Sequence, residues 1–202
     1  MKIKNQLPKV NEPLHAQLVS DGWTLLKEPN NMGKIIFTSV PFMFLNAILS
    51  IVIINMFSSI SFPLIDQTSN AIIIRIDFIF IVGLFLLLIV HELLHLIFVP
   101  NFFRSDKTYL GLTPFGGFVY TEEEIYKTRY IFITLVPFVV LSILFPIILG
   151  IFGLLTPTLI TLILINAIGA SVDTLTCVFV VRQVPKHAIL RSNGPKTYWK
   201  IV

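Results

Sequence analysis

Charge is scarce in this chain. Aspartate, glutamate, lysine and arginine make up 13 % of its 202 residues, against 55 % hydrophobic residues and a mean hydropathy of +0.85. A soluble domain carries about 25 % charged residues, so this content cannot cover a water-soluble globule. It equally excludes a disordered chain, which is rich in charge and poor in apolar residues. Cysteine is nearly missing: Cys177 stands alone, which excludes an intrachain disulfide and gives no sign of an oxidised extracellular domain. No basic stripe interleaved with aromatics accompanies the net charge of +4, so nucleic acid is not an expected partner. No early apolar run ends in a small-residue cleavage site, so the first apolar run is expected to stay as an anchor.

What the chain has is apolar length. Four runs, about 35–57, 78–99, 131–153 and 158–181, are each long enough to cross a hydrocarbon layer of about 30 Å as a helix. The expectation is an all-α integral membrane protein of the cell membrane. Residues 1–34 would form a cytoplasmic N-terminal segment, 35–181 a four-helix transmembrane domain and 182–202 a basic cytoplasmic tail. In the first segment Asn11 and Pro13 open a short helix over "EPLHAQLVSDGW", lying at the headgroups. Pro137 and Pro146 fall inside the third run. They read as a gate or as ordinary transmembrane prolines whose freed carbonyls are re-satisfied by neighbours.

Orientation follows from lysine and arginine. Lys2, Lys4, Lys9, Lys27 and Lys34 precede the first run. The 58–71 connection has neither residue type, and Arg75, near Asp77, is the one basic residue on that side. Arg104, Lys107, Lys127 and Arg129 lie in the 100–130 connection, and the 154–157 turn has none. Arg182, Lys186, Arg191, Lys196 and Lys200 fill a tail without acids. Both termini and the 100–130 connection are therefore expected in the cytoplasm. That connection is too long for a plain helix–helix link. With Pro114, Gly116 and Gly117 at a turn, it reads as a β-hairpin with strands near 108–112 and 117–121, or as an irregular amphipathic loop.

The string at 91–95, His91-Glu92-Leu93-Leu94-His95, fits H-E-x-x-H. On a helix, positions i and i+4 share a face, so both imidazoles reach one metal, with Glu92 beside them as general base. Two neutral imidazoles and one oxygen ligand with an open fourth position suit zinc. Three ionisable groups in an apolar helix are costly unless they work together. The third ligand is sought in "NAIGASVDTLTCVFVV", where Asp173 is the only acid. Counted inward from Pro100 and Arg182, His91 and Asp173 lie equally deep, about 13 Å at 1.5 Å per residue. Gly169, Ala170 and Ser171 permit close helix approach there. Asp173 also reads as a hydrogen-bonded packing residue. Glu122, Glu123 and Glu124 read as the solvated start of the third helix, with a role as substitute ligands behind Asp173. His15 and His187 read as surface histidines, and Cys177 as packing or as support for the metal site.

"DGWTLLKEPNNMG", "SVPF", "HELLHLIF" and "NAIGASVDTL" before a basic tail resemble a bacterial membrane family of zincin-like peptidases without assigned function, over roughly residues 20–195. More distantly the chain is similar to site-2 proteases, in which a membrane helix carries H-E-x-x-H and a later helix supplies an aspartate. His91, Glu92, His95 and Asp173 match that pattern. Asn166 resembles the asparagine ahead of the ligand aspartate, although the spacing differs and the following proline and glycine are missing. "PFGG" at 114–117 is similar to the glycine-rich membrane loops of that group. The resemblance implies a Zn2+ metalloprotease cleaving a membrane protein or peptide in or near the bilayer, with Asn166, Gly116 and Gly117 near the substrate or behind the ligands. Two other functions stay open: a zinc-binding regulator or partner without peptidase activity, and a small transporter using the same four groups as an ion relay.

Overall fold

The computed structural model describes residues 2–4, 6, 8–58, 77–113 and 116–202. The 58–71 connection beyond its first residue, Arg75 and Pro114 lie outside the described residues. Among the described residues, four helical spans are long and apolar enough to cross a membrane: Met32–Asn55, Phe78–Ile97, Lys127–Ile151 and Pro157–Gln183.

Each start has a local cause. A short helix, α1 (Glu12–Ser20), begins at Asn11, whose side chain accepts from Leu14 N at 3.1 Å. The same device starts the first span, α2 (Met32–Asn55), where Asn31 accepts from Lys34 N at 2.8 Å, and the second, α3 (Phe78–Ile97), where Asp77 accepts from Phe80 N at 2.7 Å. A side-chain oxygen satisfies a backbone donor that the first helical turn leaves open.

The third and fourth runs are not single straight helices. The third is α4 (Lys127–Phe138), a π-helical turn (Val139–Leu144) and α5 (Phe145–Ile151). The fourth is divided at Ala170 into α6 (Pro157–Gly169) and α7 (Ser171–Gln183). The division places Asp173 in the first turn of α7, where the exposed N–H groups and the helix dipole favour a carboxylate.

The all-α expectation requires correction, because among the described residues two sheets with seven strands accompany the helices. The first has β1 (Lys2–Lys4) parallel to β3 (Thr108–Thr113), which pairs antiparallel with β4 (Gly116–Thr121). The hairpin anticipated near 108–121 is therefore present, with Thr113 opposite Gly116. The second runs β2 (Thr24–Leu25), β7 (Lys196–Ile201), β6 (Ala188–Asn193), β5 (Ile125–Tyr126). Here the last residues form a hairpin around Gly194-Pro195. Gly194 takes φ of 58°, which glycine adopts freely, and Pro195 fixes the next φ near −65°. This sheet joins the N-terminal segment, the connection after α3 and the tail, so all three lie at one end of the helices.

Packing across that sheet is tight. Leu26 N donates to Thr197 O at 2.8 Å, and Thr197 N donates to Glu28 Oε1 at 2.9 Å. Burial pushes the Glu28 carboxyl up to about 7, against the opposing effect of those Thr197 contacts. His15 is not a free surface histidine: its Nδ1 lies 2.7 Å from the hydroxyl of the fully buried Tyr198. His187 is exposed. Glu122–Glu124 precede β5 rather than a helix start.

The helical region is inverted relative to a soluble domain. Phe37, Phe44, Ile48 and Val52 of α2 and Phe78, Ile79 and Phe85 of α3 are exposed, whereas Asn46, Ser50, Ser142 and Asn166 are buried. In a lipid solvent the apolar faces need no cover, and polar groups must find partners within the bundle.

Candidate metal centre

Helix α3 displays His91 and His95 one turn apart, with ring centroids 5.0 Å from each other. The first turn of α7 brings Asp173 to both. Asp173 Oδ2 lies 3.4 Å from His91 Nε2 and 3.6 Å from His95 Nε2. One ligand atom from each of the three residues falls within 4.8 Å of the others.

The outward nitrogens fix what the inward ones can do. His95 Nδ1 is 2.8 Å from Ile133 O. A carbonyl only accepts, so Nδ1 carries the proton and Nε2 presents its lone pair toward Asp173. His91 Nδ1 is 2.9 Å from Asn166 Oδ1. Asn166 Nδ2 donates to Pro137 O at 3.4 Å and to Ser142 Oγ at 2.9 Å. The Pro137 carbonyl sets the amide orientation, which makes Oδ1 an acceptor and His91 Nδ1 a donor. Both Nε2 lone pairs therefore point at one carboxylate oxygen.

The separations discriminate between two uses of this cluster. At 3.4 and 3.6 Å the Nε2–Oδ2 pairs are longer than good hydrogen bonds, which close at about 2.7–3.2 Å. They match the edge of a tetrahedron whose ligands sit about 2.0–2.1 Å from a zinc ion, an edge of about 3.3 Å. The donor set, two imidazoles and a carboxylate, is the one zinc takes when a fourth position stays open. The residues present fit the ion.

Why Ile133 offers its carbonyl is legible in the covalent chain. Its helical donor would be the N–H of residue 137, and Pro137 has none. The carbonyl is left for His95. The second proline repeats the device. Pro146 removes the helical donor of Ser142 O, and Ser50 Oγ of α2 donates to that oxygen at 3.2 Å. Sequence reading anticipated freed carbonyls but not their recipients. The locating signal is four-residue spacing between each proline and an oxygen facing a neighbouring helix.

Glu92 follows His91 in the chain and packs against β4. A Cβ built on Gly117 would collide with Glu92 Cγ and come within 2.8 Å of its Cδ. Only glycine at 117 leaves the carboxylate its place. β4 is the edge strand of its sheet, so the sheet margin borders the base. Gly116, at φ of 133°, starts this strand.

The remaining candidates lie elsewhere. Glu122 accepts from Tyr120, Glu123 Oε1 accepts from Ser105 Oγ at 2.6 Å, and Glu124 lies 3.8 Å from Arg191. Among the described residues, the only histidine, cysteine and acid cluster with metal-holding geometry is His91, His95 and Asp173. Cys177 is buried and free, one turn beyond Asp173.

A family model described as "Putative zincin peptidase" matches residues 84–189. The chain belongs to this family. The matched segment runs from α3 into β6 and contains the candidate metal group and the residues around it: both histidines, Glu92, Gly117, the two prolines, Asn166 and Asp173. No curated protein and no solved structure matches the chain.

Proposed function

We propose that the chain is a membrane-embedded zinc metallopeptidase that hydrolyses peptide bonds in or beside the bilayer. The observation that carries this reading is the meeting of two tautomer-fixed Nε2 atoms and one carboxylate at the spacing a shared ion requires. His91, His95 and Asp173 hold the zinc. Bound there, zinc acts as a Lewis acid that polarises a carbonyl and lowers the pKa of water toward about 7. Glu92 takes a proton from the attacking water and returns it to the departing amine, as a positioned carboxylate does in general acid–base catalysis. Asn166 and Ile133 O keep the two imidazoles in the tautomer that binds metal, as outer partners do. On this reading the parts would serve in the order expected from the site-2 protease resemblance, with H-E-x-x-H on one membrane helix and aspartate on a later one.

The margin of β4 supports an extended substrate. A peptide laid along an edge strand pairs through its backbone and needs no fixed sequence. At β4 it would run past Glu92 at Gly117.

Orientation completes the reading. The three segments rich in lysine and arginine share one end of the bundle, and the positive-inside rule puts that end in the cytoplasm. The site lies within the last two turns of α3, so cleavage falls toward the cytoplasmic face.

The test is purified wild type beside Glu92→Gln, with bound zinc and fragments of a membrane-protein substrate both measured. Near-equal zinc content and a loss of hydrolysis by several orders of magnitude are expected. Equal proteolysis by the variant refutes the role of Glu92. Cellular function that survives the variant marks the non-proteolytic zinc protein instead. Labelling of cysteines placed at the exposed positions Asp106 and Lys186 checks orientation: reaction with an external reagent in intact cells overturns it.

A further inference from the structure

A cavity opens where the second span ends and the third begins. It measures about 340 Å³ and is lined by Ile97, Asn101, Phe102, Phe103, Arg104 and Arg129, among others. That volume falls in the range of small-ligand sites, about 300–1,000 Å³. We propose that it binds the phosphate headgroup of an anionic phospholipid from the surrounding bilayer.

The charge is one-sided. Two guanidiniums line the cavity and no carboxylate does. Arg129 uses Nε to reach Phe98 O at 2.9 Å, which leaves its outer nitrogens for an anion. The Arg104 side chain makes no hydrogen bond or ion pair among the described residues. Planar guanidiniums match phosphate oxygens in paired hydrogen bonds. The Asn101 amide adds a neutral donor on the same wall. Asn101 takes φ of 51° directly after Pro100, and Ser105 N and Arg104 N both donate to its carbonyl at 2.9 Å. This closed turn holds Arg104 over the end of α3.

The apolar part of the wall favours a lipid over a free phosphate. Phe103 is 79 % exposed and stacks on Phe102 with centroids 4.0 Å apart. Ile97 is exposed and continues the lipid-facing surface of α3 into the cavity. A soluble phosphate has no use for this apolar margin, whereas acyl chains below a headgroup cover it. The headgroup would also sit close to the metal centre. Arg129 lies one helical turn from Ile133, whose carbonyl holds His95.

Native mass spectrometry of the full chain, released from vesicles of phosphatidylcholine with phosphatidylglycerol, tests the proposal by counting retained phosphatidylglycerol. One retained lipid in preference to phosphatidylcholine is expected. Each arginine at an anionic surface contributes about a fivefold effect, so R104Q/R129Q should weaken retention about 30-fold and R104Q alone about fivefold. The single variant gives a result even where the double variant fails to fold. K186Q, at an exposed site beyond the end of α7, should change little. Loss as large in K186Q, or retention unchanged in R104Q, overturns the assignment. Glycerol 3-phosphate at millimolar concentration should not displace the lipid. Displacement would show a soluble-phosphate site instead.

Discussion

The second and third spans make a telling pair. α3 is a continuous helix of 20 residues that carries His91, Glu92 and His95. The third span has no ionisable side chain beyond its first turn, yet two prolines and a π-helical turn interrupt it. One helix supplies both histidines and Glu92, and the other supplies backbone oxygens, at Ile133 and Pro137, that orient the imidazoles of His95 and, through Asn166, His91. In lipid, an interrupted helix survives only where its freed groups are met inside the protein. The irregularity of the third span and the metal geometry of the second are therefore one arrangement described from two sides.

The strongest way to break this pairing is to remove the group that both imidazoles face. Asp173→Ala should abolish hydrolysis and lower zinc affinity by orders of magnitude, because two imidazoles alone leave the ion short of its usual three protein ligands. Asp173→Asn keeps the shape and should bind zinc more tightly than the alanine variant. Stoichiometric zinc at wild-type affinity in Asp173→Ala would dismiss the carboxylate as a ligand.

Pro137→Ala sharpens the comparison, because it makes the third span more regular. A restored N–H competes with His95 for Ile133 O. Zinc affinity should fall about 10–100-fold, the usual cost of losing an outer partner, while the helix itself gains a hydrogen bond. Competition with a chelator of known affinity measures it. Unchanged affinity would show that His95 keeps its orientation without the freed carbonyl.

Ser50→Ala tests the same device at Pro146, where the bonded Ser142 is joined to His91 only through Asn166. The loss should be about 0.6 kcal/mol of stability, the average for an interhelical hydrogen bond in a bilayer, with zinc content unchanged. Denaturation in mixed detergent micelles reads it.

The smallest effect is expected at the water-facing sheet. Glu28 holds its proton up to about 7 when folded, against an ordinary value of 4.5. The folded state then binds more protons in that interval, so this group's contribution is complete below about 4.5 and is lost as pH rises through 7. Hydrogen exchange at Leu26 N–H, corrected for its intrinsic pH dependence, should accelerate across this window. Glu28→Gln should flatten the response.

Sequence made the apolar spans, the H-E-x-x-H helix and Asp173 legible, because length, four-residue spacing and a lone acid in an apolar run are local properties. The hairpin at 108–121 was legible from its turn residues. The strands at 188–193 and 196–201 were hidden behind the basic character of the tail, although Asn193-Gly194 between alternating residues is a hairpin signal. The division at Ala170 was obscured by an unbroken apolar run, and with it the placement of Asp173 at a helix start. The partners of Ile133 O and the contact of Gly117 with Glu92 join residues far apart in the chain, and no local pattern carries them.

The seam between β2 and β7 bears on the order of manufacture. Thr24 pairs with Trp199, so a segment made before all four spans waits for one made after them. Asp173 also emerges well after α3, roughly 4–15 s later at about 5–20 residues per second. During that interval the growing chain carries two histidines and a glutamate in lipid without their counter-ligand. The metal-holding group is therefore complete only once α7 has been made as well as α3.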